Sequence, residues 1–246
     1  MTASPAPVAR GPWAVAMRWS HLLFAHWPVP VTALRGHVPP QLELDTFGGD
    51  AWLGVVPFTM TDVRPRGTPA LPGPGAFHEL NVRTYVRHRG VPGVWFFSLD
   101  AASPTAVEVG RAGMHLAYLR ARMSLTERDG RVRYTSERVD RRAPAAELRV
   151  TYGATGPAAP TAPGSLEHFL TERYALYASD LPPRAPRRLW LGAVEHAPWR
   201  LAPAAWEVER NTMTAPLGVD VAGRTPLLHA AEGVLPVHAW ARRRVA

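Results

Sequence analysis

Residues 79–86, Glu79-Leu80-Asn81-Val82-Arg83-Thr84-Tyr85-Val86, are followed by Arg87-His88-Arg89-Gly90-Val91-Pro92-Gly93 and then by Val94-Trp95-Phe96-Phe97-Ser98-Leu99-Asp100. Two runs of strand composition on either side of a Gly/Pro-containing segment predict a β-hairpin with a long turn. A side-chain period of two places Glu79, Asn81, Arg83 and Tyr85 on one face of the first strand and Leu80, Val82, Thr84 and Val86 on the other. A surface strand carries the same alternation. The partner run differs, because Trp95, Phe96 and Phe97 put apolar bulk on both of its faces, as in a strand covered on both sides. The stretch therefore predicts an acid and an arginine facing a walled space, without specifying a reaction.

Composition narrows what such a space can do. At 246 residues with 46% apolar content, the chain can form one large domain or two small ones, with a sizeable core. It has no cysteine, which excludes disulfides, thiolate nucleophiles, iron–sulfur clusters and cysteine-type zinc sites. It has no lysine either: all 28 basic residues are arginine, so no side-chain amine can form a Schiff base or hold pyridoxal phosphate. There is no GxGxxG, P-loop, HExxH or GxSxG, and His21 and His26 fall on opposite faces of a strand. No cofactor and no metal site are expected. The net charge of +8 raises the question of nucleic acid. The arginines are dispersed, however, and no RRM, KH, helix-turn-helix or zinc-finger pattern is present, so no specific nucleic-acid partner is expected. Met1 to Trp13 lacks the apolar core of a signal peptide and no run approaches the roughly 18 apolar residues of a span, which predicts a soluble, cytoplasmic protein without membrane association.

Taken in order, residues 1–15 are small, Pro-rich and read as a flexible N-terminus. Met17 to Trp27 reads as one buried strand, Pro30 to Val38 as a short helix stopped by Pro39-Pro40, and Ala51 to Met60 as a long apolar strand with Pro57 at a bulge or edge. Residues 64–76 read as a loop, long enough to be a lid. Ser103-Pro104 marks a helix start, with Gly110 or Gly113 as its end. Asp129-Gly130 predicts a tight hairpin that pairs Arg128 with Arg131 and Arg122 with Glu137. On that register Arg138 joins an otherwise mostly apolar face, where it either reaches for water or needs an anionic partner. Glu147 to Tyr152 reads as a strand, Gly153 to Gly164 as a linker, Ser165 as the cap of a helix reaching Tyr177, and Arg188 to His196 as a strand. Beyond that the pattern is irregular, and Arg242 to Arg244 reads as a solvated end. The sum is a single domain over 16–241 with a basic tail at 242–246. Its class is mainly β, with a largely antiparallel sheet curled into a barrel or sandwich and a few short helices.

Six stretches together resemble a known family: Leu22 to Trp27, Ala51 to Phe58, Glu79 to Val86, Gly93 to Ala101, Leu166 to Tyr177, and His196-Ala197-Pro198-Trp199. They resemble the bacterial YqjF-like family of unknown function, within the acetoacetate decarboxylase-like superfamily. The resemblance covers about Trp19 to Trp240. It implies a strongly curved antiparallel sheet forming a cone-like barrel around a central cavity. Decarboxylases of that superfamily use an imine-forming lysine, with a strand glutamate and an arginine in the cavity. Glu79 is similar to that glutamate. Gly110-Arg111 resembles the start of the lysine segment, and counting forward lands near Tyr118 and Leu119, where this chain has no lysine.

The resemblance thus implies fold and cavity without imine chemistry. The candidate site is Glu79 as general acid/base, with Arg83, Arg111, Arg138, Tyr118 and Asn81 as ligand-binding residues. The expected partner is a small carboxylate or keto acid. A non-catalytic binding protein for an apolar or acidic metabolite, or for a protein partner, fits the same residues. The oligomeric state stays open, a homo-oligomer included.

Overall fold

The computed structural model describes residues 9–69, 75–180 and 188–245. The chain enters the sheet as β1 (Val15–Ser20), breaks at His21, whose φ is 51°, and resumes as β2 (Leu23–Val29). One strand was expected here. The interruption sits opposite Pro57 of β4 (Ala51–Pro65), reached after the short helix α1 (Val31–Arg35) and the two-residue strand β3 (Glu43–Leu44). β4 pairs with β2 through Ala51 to Val55 and with β1 from Thr59 onward, and Pro57 has its partner, Leu80, only on the opposite edge. A proline has no N–H for the ladder, so the neighbouring strand is free to part there.

The decisive hairpin is β5 (Phe77–His88) and β6 (Val91–Ala101). Its turn is tighter than expected: His88 pairs with Val91, and only Arg89 and Gly90 remain, with φ of 49° and 78°. Two successive left-handed residues make the mirror-image turn that suits strand twist. The loop expected at 64–76 is partly strand, since β4 runs to Pro65; residues 70–74 of the expected lid lie outside the described residues.

Ser103 caps α2 (Pro104–Met114) through its Oγ, which accepts from the Ala106 amide at 3.2 Å. The helix runs past both glycines and stops at His115, in the left-handed conformation. The next hairpin, β7 (Tyr118–Arg128) and β8 (Arg131–Arg138), has the register read from Asp129-Gly130, with Arg128 opposite Arg131 and Arg122 opposite Glu137. β9 (Glu147–Ala154) and the short β10 (Ala159–Pro160) follow, the latter inside the expected linker. The helix expected to reach Tyr177 is only α3 (Leu166–Thr171); Tyr177 belongs to β11 (Ala175–Ser179), whose five residues are all buried. Ala175 to Ser179 fit a helical stripe and a doubly covered strand equally well, and tertiary pairing decides for the strand. The rest comprises β12 (Leu189–His196), β13 (Arg200–Asn211), β14 (Leu227–Ala231), β15 (Leu235–Ala239) and β16 (Arg243–Arg244). The terminal arginines are therefore not a free tail: Arg244 pairs with Trp190 of β12.

These strands form one curved sheet closed into two rings that share the wall β4–β5–β6. One edge of the wall divides at Pro57, where β1 leads to β15 and β2 leads to β14. The other edge divides along β6: Val94 and Trp95 pair with β11, while Leu99 to Ala101 pair with β7. Both pairings are parallel, so the sheet is mixed at β6 and antiparallel elsewhere. The ring through β7, β8, β9, β13 and β14 is filled by Leu23, Trp27, Leu53, Leu80, Val82, Tyr134 and Leu148. The ring through β1, β15, β12 and β11 is hollow.

Close approach of β6 to β11 depends on Gly93, where an added Cβ would lie 2.7 Å from the Ala175 carbonyl oxygen. At Gly113 in α2 nothing lies within 4 Å of such an atom. In urea unfolding, Gly93→Ala should lower stability by about 1–3 kcal/mol, as overpacking does. Gly113→Ala should leave it unchanged or raise it by up to about 1 kcal/mol.

A cavity lined by an acid, an amide and a guanidinium

Alternation along β5 assigns its two faces to the two rings. Leu80 and Val82 enter the packed core, while Glu79, Asn81 and Arg83 line a cavity of about 260 Å³ in the other ring. The wall around them is apolar and aromatic: Trp19 from β1, Phe24 from β2, Phe58 from β4, Phe96 from β6 and Trp199 between β12 and β13. α2 and Tyr118 cover part of the space.

Glu79 is 1% exposed, and its Oε2 accepts a hydrogen bond of 2.8 Å from the Tyr118 hydroxyl. None of the ion pairs among the described residues includes Glu79. Tyr118 is seated by Gly110, where a Cβ would stand 2.4 Å from the tyrosine ring, and by Arg111, whose Nη1 donates to the Tyr118 carbonyl at 2.9 Å. Asn81 is 5% exposed, and its Oδ1 has no hydrogen-bond partner among the described residues; the same holds for the buried Trp19 Nε1.

Arg83 is half-buried and likewise makes no ion pair with a described carboxylate. Its Nη2 donates to the Leu170 carbonyl at 3.2 Å and its Nε to the Tyr85 hydroxyl at 3.3 Å. The guanidinium carbon lies 5.2 Å from the Phe24 ring centre and 5.6 Å from that of Tyr85. Tyr85 is held in turn by a 2.6 Å hydrogen bond with His26 Nε2. Gly54 leaves room for this cluster, since a Cβ there would come within 3.0 Å of the His26 ring and 3.3 Å of Arg83 Cγ. Burial first, and then Arg83, push His26 well below the usual histidine range, so it is neutral beside the guanidinium.

Of the residues expected at the site, Glu79, Asn81, Arg83 and Tyr118 come together on the cavity, whereas Arg111 and Arg138 lie outside its lining. Arg111 braces the Tyr118 backbone from α2. Arg138 points into the packed ring, where its Nε and Nη2 hold both Asp100 oxygens at 2.8–3.2 Å, Nη2 also reaches Ser98, and Nη1 reaches the Pro144 carbonyl. Its odd position on an apolar face is explained by that carboxylate. The sequence reading missed Arg173, Thr171 and His196, which also line the cavity. Arg173, which falls within the helix expected from Ser165 to Tyr177, lies beyond the end of α3; it is bound through Nη1 to Asp45 at 2.7 Å and lies 4.3 Å from the Phe169 ring centre. His196 donates from Nδ1 to the Ala197 carbonyl at 2.8 Å when that nitrogen carries the proton, leaving Nε2 as an acceptor. The stretch His196-Ala197-Pro198-Trp199 was the available signal for it.

The profile of the DUF2071 family, described as an uncharacterized conserved protein (COG2071), matches residues 16–235. The chain belongs to this family. Over 225 residues it is 39% identical to the uncharacterized protein YqjF of Bacillus subtilis (strain 168), covering 92% of this chain and 90% of that protein. Among solved structures it is similar in fold to acetoacetate decarboxylase from Legionella pneumophila, with a TM-score of 0.64 and 13% identity over 100% of this chain and 93% of that one. It is also similar to the enduracididine biosynthesis enzyme MppR complexed with the condensation product of pyruvate and imidazole 4-carboxaldehyde, with a TM-score of 0.66 and 15% identity over 99% and 97% of the two chains. At these identities the likeness is one of fold.

In this DUF2071 protein the electrostatics of Glu79 follow from its burial. Desolvation raises its pKa to about 8, the Tyr118 hydroxyl opposes the rise, and the Asp100 charge adds to it. The folded protein holds this proton to about pH 8, whereas an unperturbed glutamate releases it near 4.5. The stabilising contribution of the neutral acid is thus complete below pH 4.5 and is lost as the pH rises through 8. Glu79→Gln, which mimics the neutral form, should match wild type in unfolding free energy at pH 4. At pH 9 it should exceed wild type by up to about 5 kcal/mol, at roughly 1.4 kcal/mol per pH unit. Urea titrations at the two pH values measure the difference; equal effects at both would place the ionised form in the fold.

Proposed function

We propose that this protein binds an organic carboxylate in the hollow ring, with Arg83 taking the carboxylate and Glu79 acting as a general acid/base on the bound molecule. The observation that carries the reading is a guanidinium without a carboxylate partner among the described residues, facing a mostly apolar cavity where an anion would be held by charge-assisted hydrogen bonds in a low dielectric. A carboxyl that keeps its proton to about pH 8 is matched to proton transfer near neutral pH. The complex of MppR with pyruvate, a carboxylate, supports the choice of ligand by analogy of fold.

No lysine exists in the chain, so a covalent imine is not part of this proposal. What Glu79 can do is move a proton: protonate a developing enolate oxygen, or remove a proton next to a carbonyl after losing its own. Enolisation or dehydration of a keto or hydroxy acid is the reaction class. The apolar majority of the lining also favours a second reading, a binding protein that uses the same cavity without turnover.

Arg83→Met keeps a long side chain against Phe24 and removes the charge. It should reduce carboxylate affinity, read by calorimetry, at least tenfold, and unchanged affinity would remove Arg83 from the reading. Glu79→Gln separates the two readings: an enzyme should lose turnover or solvent-deuterium exchange into the bound acid while binding persists, whereas a binding protein shows no exchange in wild type either.

A further inference from the structure

The cavity is long as well as apolar. Its lining takes in successive inward positions of β5, from Arg83 to Phe77, so it follows the strand for roughly 20 Å at about 3.3 Å per residue. On β4, Phe58 and Met60 are the register partners of Glu79 and Phe77 and line the same space. The two ends differ. Around Arg83 the lining is buried: Phe24 meets the Trp199 ring edge-on at 5.2 Å, and Trp199 Nε1 donates to the Thr171 carbonyl at 3.0 Å. At the Phe77 end the lining is apolar and opens outward. Val63 lies there on β4, and α2, which follows Ala101, the register partner of Glu79, brings in Val109, 64% exposed.

Positive charge is available at the buried end alone. The guanidinium groups in the lining are those of Arg83 and Arg173, and Arg173 is already engaged by Asp45 at 2.7 Å, whereas Arg83 has no carboxylate partner among the described residues. Resting on the carboxylate reading above, we infer that the ligand is a slender monocarboxylic acid with an unbranched alkyl chain. Its carboxylate would sit on Arg83 and its chain would run along β4 and β5 to the mouth at Val63 and Val109. An acid of two or three carbons would occupy only the Arg83 end and leave the rest of the apolar passage uncovered. A volume of about 260 Å³ spread along that length is narrow, which suits a chain better than a fused-ring acid. A second carboxylate inside the passage is disfavoured, because it would be desolvated with no free cation to pair with.

The test measures one-site binding of butanoate, hexanoate, octanoate and decanoate to the wild-type protein by calorimetry at pH 7, with hexanedioate and octanamide as controls. Affinity should rise roughly fourfold for each methylene from butanoate to octanoate, as burial of a methylene predicts. Hexanedioate should bind at least about tenfold more weakly than hexanoate, and octanamide at least about tenfold more weakly than octanoate. Val109→Asp, at an exposed position of the mouth, should weaken decanoate at least about threefold and leave butanoate unchanged. A rise of less than about twofold per methylene, with binding that is still lost in Arg83→Met, overturns the alkyl chain and leaves the carboxylate reading standing. Hexanedioate binding as tightly as hexanoate, or decanoate indifferent to Val109→Asp, overturns the path of the chain from a single cation to the mouth. Octanamide binding as tightly as octanoate, or no binding of any alkanoate, overturns the carboxylate reading and this inference together. The wild-type series decides the chain length even where a variant fails to fold.

Discussion

The structure depends on a wall of three strands that serves two closed rings at once. Because successive side chains of β5 point to opposite sides, Leu80 and Val82 can complete a packed core while Glu79, Asn81 and Arg83 look into a hollow. The three polar groups that β5 presents to the hollow side are thereby backed by a tightly filled layer. Tyr134, a core residue of the other ring, donates to the Glu79 backbone carbonyl at 2.8 Å and so pins the strand from behind at the position of the acid. A site mounted on such a wall has little freedom to shift, which suits groups that must stay in place while largely stripped of water.

Much of this was legible in the sequence because a period of two and an Asp-Gly turn are local signals. The face carrying Glu79, Asn81 and Arg83 and the register of β7 with β8 follow from counting alone. What escaped the sequence is what the chain does at a distance. The break at His21 is caused by Pro57, which lies more than thirty residues away, and no local pattern announces it. The strand identity of Ala175 to Ser179 comes from a slot between β6 and β12, against a helical spacing that fits the same residues. The alternation on β8 leaves Arg138 either reaching for water or needing an anion; the structure decides for the anion, Asp100, on the packed side and not on the cavity, a fact set by which ring β8 joins. Arg173 is hidden for the converse reason: its neighbours in sequence say nothing about a cavity that closes only in three dimensions, whereas His196 sits in the stretch His196-Ala197-Pro198-Trp199.

The cluster of Tyr118, Gly110 and Arg111 shows how the covered end of the cavity is arranged in a chain without lysine. A tyrosine fills the space beside the acid, admitted by a glycine and fixed through its backbone by an arginine. Its hydroxyl, raised well above the ordinary tyrosine range by burial and by Glu79, stays protonated and serves as a donor to the carboxyl. The pair is therefore a hydrogen-bonded acid, not an ion pair, and its character depends on the dryness of the surroundings.

The hollow ring joins β1, near the start of the chain, to β15, near its end, while the filled ring closes through β14. During synthesis from the ribosome, the chamber cannot be completed until Leu235 to Ala239 have emerged, by which time every strand of the packed half is already available to fold. The chamber is consequently the last part of the fold able to close.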